Sequence, residues 1–252
     1  RAVQMLRQHA KQPLTIGYAP TSGIIYPASD RPEDIEAARK KYFSMPEDDS
    51  NWTWNVAWWS DPVLLGKYPE EGLKKYEKYL PKITEKDMRL ISEPIDVYGQ
   101  NIYNGRAFRM GADGNPEEVG RVPGAGKTAV NWPVTPECLY WGPKFLYERY
   151  KKPIYITENG MACHDVVSLD QRVHDPNRID FLARYLHELK RAAEEIDLRG
   201  YFQWSLMDNF EWEKGYAERF GIVYVDFETQ ERILKDSAYW YRDVIQTNGR
   251  DL

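Results

Sequence analysis

Ile154-Tyr155-Ile156-Thr157-Glu158-Asn159-Gly160 is the stretch on which the reading of this chain turns. Alternating β-formers run into an acid, an amide and a glycine. The pattern predicts a short buried strand that stops abruptly with a carboxylate at its C-terminal tip. A strand that ends on a Glu makes a poor core element. The carboxylate therefore reads either as a solvated turn residue or as a group that does chemistry.

Working outward, three further segments read as strands: Leu14 to Tyr18, Ile95 to Tyr103 and Tyr201 to Ser205. The second also ends in polar residues, Asn101 and Tyr103. Helical patterns stand between them. Asp30-Arg31-Pro32-Glu33 starts one helix, with Asp30 as its cap, and Thr135-Pro136-Glu137 starts another. Asp175-Pro176 opens the clearest helix, in which Ile179, Leu182, Leu186, Leu189, Ala193 and Ile196 recur every three or four residues, with Gly200 ending it. Leu73, Tyr76 and Leu80 suggest a short helix, and Thr84 to Asp87 resembles a capping box. Asp236 is expected to cap a final helix, after a hairpin within Phe220 to Phe227.

Strand and helix alternate, which is the grammar of a parallel α/β architecture. Four strand–helix units are expected, starting at Leu14, Ile95, Ile154 and Gly200. A (β/α)8 barrel needs eight, so four units suggest half a barrel, with polar residues gathered where barrel enzymes place their active sites. Ile24 to Pro27 is expected to lead into a loop. Residues 104–134, rich in Gly and Pro, read as a long functional excursion. The chain starts at Arg1 without a Met, and Val3, Leu6 and Arg7 read as the last turns of a helix. The expectation is a piece of something longer.

Composition narrows the function classes. The chain has 252 residues, with 9 Trp and 18 Tyr, which supply core and also flat platforms for sugar rings. Trp52, Trp54, Trp58 and Trp59 form a dense cluster, read as packing rather than as a binding surface. The net charge of -5 comes from 34 basic and 39 acidic residues spread along the chain, so no nucleic-acid partner is expected. No apolar run is long enough to span a membrane. Cys138 and Cys163 fit neither a zinc spacing nor a disulfide framework and read as free thiols of a reducing, cytoplasmic compartment. Cys163-His164-Asp165 lacks a second cluster, so no metal is expected. Gly124 to Thr128 looks like a phosphate loop, but the required first Gly falls on Arg121 and no strand precedes it. No cofactor is expected.

Several of these segments together resemble the family 1 glycoside hydrolases, the β-glucosidase and β-galactosidase group. Ile156-Thr157-Glu158-Asn159-Gly160 is similar to the family's nucleophile motif. Trp204 to Trp212, Gly215-Tyr216 and Arg219-Phe220-Gly221 are similar to a second motif. His174 to Ile179, Gly99 to Tyr103 (with Ile102 where Tyr is common) and Trp132-Pro133 also match. The resemblance runs through essentially the whole chain in the family's order. It implies that residues 1–252 form the C-terminal half, strands five to eight, of one (β/α)8 barrel domain. The family's Thr-x-Asn-Glu-Pro segment, whose Glu is the general acid/base, has no counterpart. Glu93-Pro94 starts a strand instead of ending one.

The resemblance implies roles residue by residue. Glu158 corresponds to the nucleophile and Tyr103 to the tyrosine that donates a hydrogen bond to it. Glu211 corresponds to the acceptor of sugar hydroxyls, with Trp204 and Trp212 as sugar-contacting indoles. Asn101 and Trp132 belong near the leaving group and Phe220 near the sugar; His174 and Arg178 read as structural. A carboxylate at Glu211 would repel a phosphorylated sugar, so a plain β-glucoside or related oligosaccharide is the expected substrate. Retaining hydrolysis needs two carboxyl groups. A complementary N-terminal half-barrel chain is thus the implied partner. The alternative is an autonomous half-barrel that binds sugars or self-associates without turnover.

Overall fold

The computed structural model describes residues 1–47 and 54–252. Four strands, β1 (Gly17–Tyr18), β3 (Val97–Asn101), β6 (Ile154–Asn159) and β7 (Leu198–Gln203), pair in the order β1-β3-β6-β7, every pair parallel. Helix α6 (Cys138–Tyr150) crosses over from β3 to β6, and α7 (Pro176–Ala193) from β6 to β7. The α/β class expected from the alternation is what the chain adopts.

The reason lies in which side chains the alternation sends to one face. Tyr98, Ile154 and Ile156 are fully buried and share a core with Leu139, Phe145 and Leu146 of α6 and Phe181, Leu182, Tyr185 and Leu189 of α7. Each such aliphatic or aromatic side chain contributes about 1.5–3 kcal/mol by leaving water. On the other face, Gly99 and Gly200 leave room for neighbours. A Cβ at Gly99 would lie 2.7 Å from the Thr157 methyl, and one at Gly200 2.7 Å from the Tyr155 ring. Phe202 on that face is 58% exposed.

Several expectations need correcting. Residues 104–134 are not a structureless excursion. They contain β4 (Gly105–Met110) and β5 (Pro116–Val119), an antiparallel pair whose β4 lies parallel to β2 (Ile24–Pro27). Ile24 to Pro27 is therefore a strand, with Ile24 and Ile25 buried against α2 (Pro32–Phe43). The first main strand is only two residues long. Gly200 does not end a helix. Helix α7 stops at Ala193, and Gly200 sits inside β7, because only a residue without a Cβ fits against Tyr155. The C-terminal hairpin pairs β8 (Val223–Val225) with β9 (Arg232–Leu234), so its second strand lies beyond Phe227. Asp30 does not cap α2. Arg31 holds that position, and Asp34 one turn in accepts from Ser29, Arg31 and the Met110 amide. Lys235, not Asp236, precedes α8 (Asp236–Gln246).

Other local readings hold. Thr84 and Asp87 form a reciprocal capping box on α5 (Glu85–Ile91). The short helix around Leu73 is α4 (Glu70–Lys75), continued by a 3-10 turn. Among the described residues the tryptophan cluster is packing only at Trp58, buried between Tyr68 and Tyr76; Trp54 and Trp59 are exposed, against the packing expected of them, and Trp52 lies outside the described residues. Helix α1 (Ala2–His9) buries no residue. Helix α3 (Val56–Leu64) is capped by Asn55, whose side chain accepts from the Trp58 amide at 2.7 Å.

Candidate active site

The C-terminal ends of β3, β6 and β7 come together and carry Asn101, Tyr103, Glu158 and Trp204, while Trp132, Glu211, Trp212 and Phe220 come from loops beyond them. Strand β6 has one more residue than either neighbour at this point. Gln100 pairs with Ile156 and Asn101 with Glu158, while on the other side Ile156 pairs with Tyr201 and Asn159 with Gln203. This bulge is local, as bulges beside functional sites are. Thr157 donates to Asn101 Oδ1 at 2.6 Å, so Thr157 and Glu158 both answer to Asn101.

Tyr103 Oη donates to Glu158 Oε2 at 2.7 Å, the length of a charge-assisted bond. Burial pushes the Tyr103 phenol far above its ordinary value, and the bond to the Glu158 carboxylate pushes it further. The hydroxyl is thus a fixed donor at any physiological pH. The Tyr103 ring meets Trp132 edge-on at 5.1 Å, and Phe220 at 6.2 Å. Phe220 is fully buried and closes this aromatic group from beneath.

Glu211 is the second carboxylate. Trp204 Nε1 points at its Oε2 from 3.4 Å. Burial raises its pKa above 4.5, opposed by that indole and assisted by the charge on Glu158. Trp212 is 79% exposed and lies in a 3-10 turn, Trp212–Lys214. Among the described residues, no Lys or Arg stands within ion-pair distance of Glu158 or Glu211. The two acids face donors and each other.

Backbone packing holds this arrangement. Gly160 follows the motif because the Trp204 carbonyl passes over it. A Cβ there would lie 1.8 Å from that oxygen. Trp204 N donates to Asn159 O at 2.8 Å, and Gln203 Nε2 donates to Trp204 O at 2.8 Å. The segment beyond β7 is tied to the hairpin by Ser205 N to Phe220 O, Val223 N to Leu206 O and Asp208 N to Val223 O.

Behind these loops lies a group that the reading of the sequence did not assemble. Arg178 forks onto Asp165 (2.7 and 3.3 Å) and also pairs with Asp175. Lys235 donates to Asp165 at 2.6 Å and to Asp208 at 2.8 Å, and Arg219 pairs with Asp208 at 2.6 Å. Arg178, Lys235, Asp175 and Asp208 are buried. Three cations match three carboxylates. Burial alone would raise Asp165, but the Arg178 and Lys235 partners outweigh it and its pKa is lowered. No single segment announces this cluster, because its members come from five separate stretches. His174 and Arg178 read as structural from sequence, and both serve the scaffold. His174 bridges Asp236 (2.6 Å) and Asp170 (3.0 Å).

The thiols are unpaired, with Cys138 buried, and burial raises both; Cys163 is pushed up to about 11. Among the described residues no group of His, Cys, Asp and Glu could hold a metal ion, and no helix is long and apolar enough to cross a membrane. A cleft of about 630 Å³, lined by Lys41, Trp54, Arg106, Phe108 and Glu118 among others, runs along the second sheet and shares no residue with the strand tips.

Comparison with known proteins matches residues 1–250 to the model of Glycosyl hydrolase family 1. The chain is 44% identical over 253 aligned residues to Beta-glucosidase A of Thermotoga maritima, an alignment covering 99% of this chain and 54% of that protein. It is 42% identical to the 1,4-beta-D-glucan glucohydrolase of Thermotoga neapolitana, with the same coverage. Among solved structures it superposes on the beta-glucosidase from Thermotoga maritima in complex with glucoimidazole. That match has a TM-score of 0.80 and 43% identity, and covers 98% of this chain and 54% of that one. The chain spans about half the length of the curated relatives it matches.

Proposed function

The chain belongs to glycosyl hydrolase family 1, and from that premise we propose that it is the nucleophile-bearing C-terminal half of a retaining β-glycosidase of the β-glucosidase type. Residues 1–252 then form one half-barrel, with β1, β3, β6 and β7 as strands five to eight. Its partner is a complementary N-terminal half-barrel that supplies the acid/base, either as a separate chain or as a preceding segment of the same protein. The open edges at β1 and β7 and the half-length coverage of the relatives support this reading.

One observation carries the assignment: the 2.7 Å bond from Tyr103 Oη to Glu158 Oε2 at the tip of the third parallel strand. A nucleophile must be ionised, accessible and aimed, and a permanently protonated phenol supplies the aim. The Glu158 carboxylate attacks the anomeric carbon of a terminal β-D-glucosyl unit while the acid on the other half protonates the departing oxygen. The glycosyl ester is later hydrolysed by water with the first configuration restored. Glu211 accepts hydroxyls of the nonreducing sugar, oriented by Trp204. Trp212 and Trp132 supply apolar surface, with buried Phe220 near the sugar site packed behind Tyr103 and Trp132, and Asn101 lies on the leaving-group side.

The test is trapping. A 2,4-dinitrophenyl 2-deoxy-2-fluoro-β-glucoside carries a leaving group that departs without an acid, and its fluorine slows hydrolysis of the ester. Intact mass should rise by one fluoroglucosyl group in the chain complemented with an N-terminal half, with the modified peptide containing Glu158. Glu158→Gln should remain unlabelled. Labelling that persists in Glu158→Gln means that the nucleophile is misassigned. Turnover of an ordinary disaccharide only in the complemented protein separates the half-enzyme from an autonomous sugar-binding half-barrel.

A further inference from the structure

The Glu158–Tyr103 bond joins two side chains whose backbones have no covalent reason to stay in register. What holds them is a buried amide. Asn159 is fully buried, and each end of its side chain reaches a different neighbour. Nδ2 donates to the Ile102 carbonyl at 2.8 Å, directly before Tyr103. Oδ1 accepts from Tyr201 Oη at 2.8 Å, on β7. Ile102 N in turn donates to the Glu158 carbonyl at 2.9 Å, and Trp204 N to the Asn159 carbonyl. On the far side, Tyr185 Oη donates to the Tyr103 carbonyl at 3.1 Å and accepts from Thr135 N at 2.8 Å. An aliphatic residue would fill the Asn159 site at lower desolvation cost. The amide is useful there because it fastens the extension of β3 to β6 and β6 to β7.

We propose that Asn159, braced by the Tyr201 hydroxyl, is a positioning residue that fixes the Glu158 carboxylate against Tyr103 without itself touching substrate. The inference rests on the reading of Glu158 as nucleophile. Its action runs through the backbone: the Asn159 amide sets the height of the Ile102 carbonyl and hence the reach of the Tyr103 ring. Loss of that setting leaves sugar contacts from Glu211 and Trp204 in place and misplaces only the attacking oxygen. The affected quantity is the rate of the bonded step, not the affinity.

The trapping reaction isolates that step. A bond forms between a Glu158 oxygen and the anomeric carbon, and the bond to the dinitrophenolate oxygen breaks, the electron pair leaving with the phenolate. Trapping rates are measured against probe concentration by intact mass in the complemented protein, which gives a saturation constant and a first-order rate. Asn159→Ala should slow the first-order rate by about ten- to a hundredfold, with the saturation constant changed less than about twofold. Tyr201→Phe keeps the ring against Tyr241 and should show the same signature more weakly. Leu189→Ala, a core change remote from the tip, serves as a destabilised control and should trap at the parental rate. Parental rates in both Asn159→Ala and Tyr201→Phe overturn the proposal, as does equal slowing in Leu189→Ala. No labelling of the parent chain sinks the nucleophile reading, and this inference with it.

Discussion

Glu158 and Asp165 leave the same strand and lie one short loop segment apart, yet their surroundings are opposite. Asp165 sits behind the site, forked by Arg178 and touched by Lys235, in a cluster whose charges cancel. Glu158 sits at the tip, held by a neutral phenol and facing another acid. A carboxylate given cations is pinned and spent on structure. A carboxylate given a neutral donor keeps its charge available. Asp165 lies in the loop that follows β6, so the ion cluster fixes where that loop goes and leaves the tip electrostatically open.

Breaking the cluster should have the largest effect. Lys235→Met leaves Asp165 and Asp208 buried beside fewer cations, and removing one partner of a buried ion group costs about 3–5 kcal/mol. Urea denaturation should show this, whereas Tyr103→Phe should cost only about 1 kcal/mol. Equal losses in the two variants would erase the contrast between the ion cluster and the strand tip. Between the regions lies Gly160. Gly160→Ala forces a methyl onto the Trp204 carbonyl and should cost about 1–3 kcal/mol, with a change in tryptophan fluorescence.

Two smaller effects depend on pH. Burial, then the charge on Glu158, raises Glu211 above 4.5, so the folded state binds protons that the unfolded state has released. Stability should therefore fall as pH rises from 4.5 through the raised value. Glu211→Gln should remove that slope and melt slightly higher at pH 7; a lower melting temperature would mean that the carboxylate is stabilised after all. The smallest effect belongs to His174, which is raised above 6.5 by its bond to Asp236 and then by that to Asp170. Its stabilisation is complete below 6.5 and lost as pH climbs through the raised value. Because the ring is exposed to solvent, the melting curve should differ from that of His174→Gln only modestly.

Much of this was legible in the sequence, for reasons that differ by element. Helix α7 shows itself because its apolar residues repeat at helical spacing and Pro176 marks its start. Strand β6 shows itself because Ile154 and Ile156 need a core, and Glu158 stands out because a strand tip is an odd place for a carboxylate; Glu211, in a loop beyond β7, was marked only by the family resemblance. The second sheet was hidden. Strands β4 and β5, Gly105 to Met110 and Pro116 to Val119, are half polar, and β2 pairs across a long separation that no local pattern records. Gly200 misled because a glycine near a helix end reads as a stop, whereas its cause is the Tyr155 ring on another strand. The meeting of Asn159, Tyr185 and Tyr201 was unreadable, since a buried amide and two tyrosines declare their partners only when three strands and helix α7 are packed together. The ion cluster was hidden for the same reason.

The extra residue in β6 has a consequence of its own. Up to Ile156 the strand sends odd-numbered side chains to one face and even-numbered ones to the other, so strict alternation would drive Glu158 into the layer of Ile154 and Ile156 among the helices. Counting Thr157 and Glu158 against the single Asn101 resets the phase, and Asn159 takes the inward place instead. One strand thereby serves apolar core and charged tip in succession. A deletion of Thr157 would thus remove the bulge without a change of sides: Glu158 would follow Ile156 directly onto the face of Tyr155, and Asn159 would still turn inward. The Thr157 bond to Asn101 would be lost, and the carboxylate would stand one residue nearer the start of the strand, short of the Tyr103 hydroxyl.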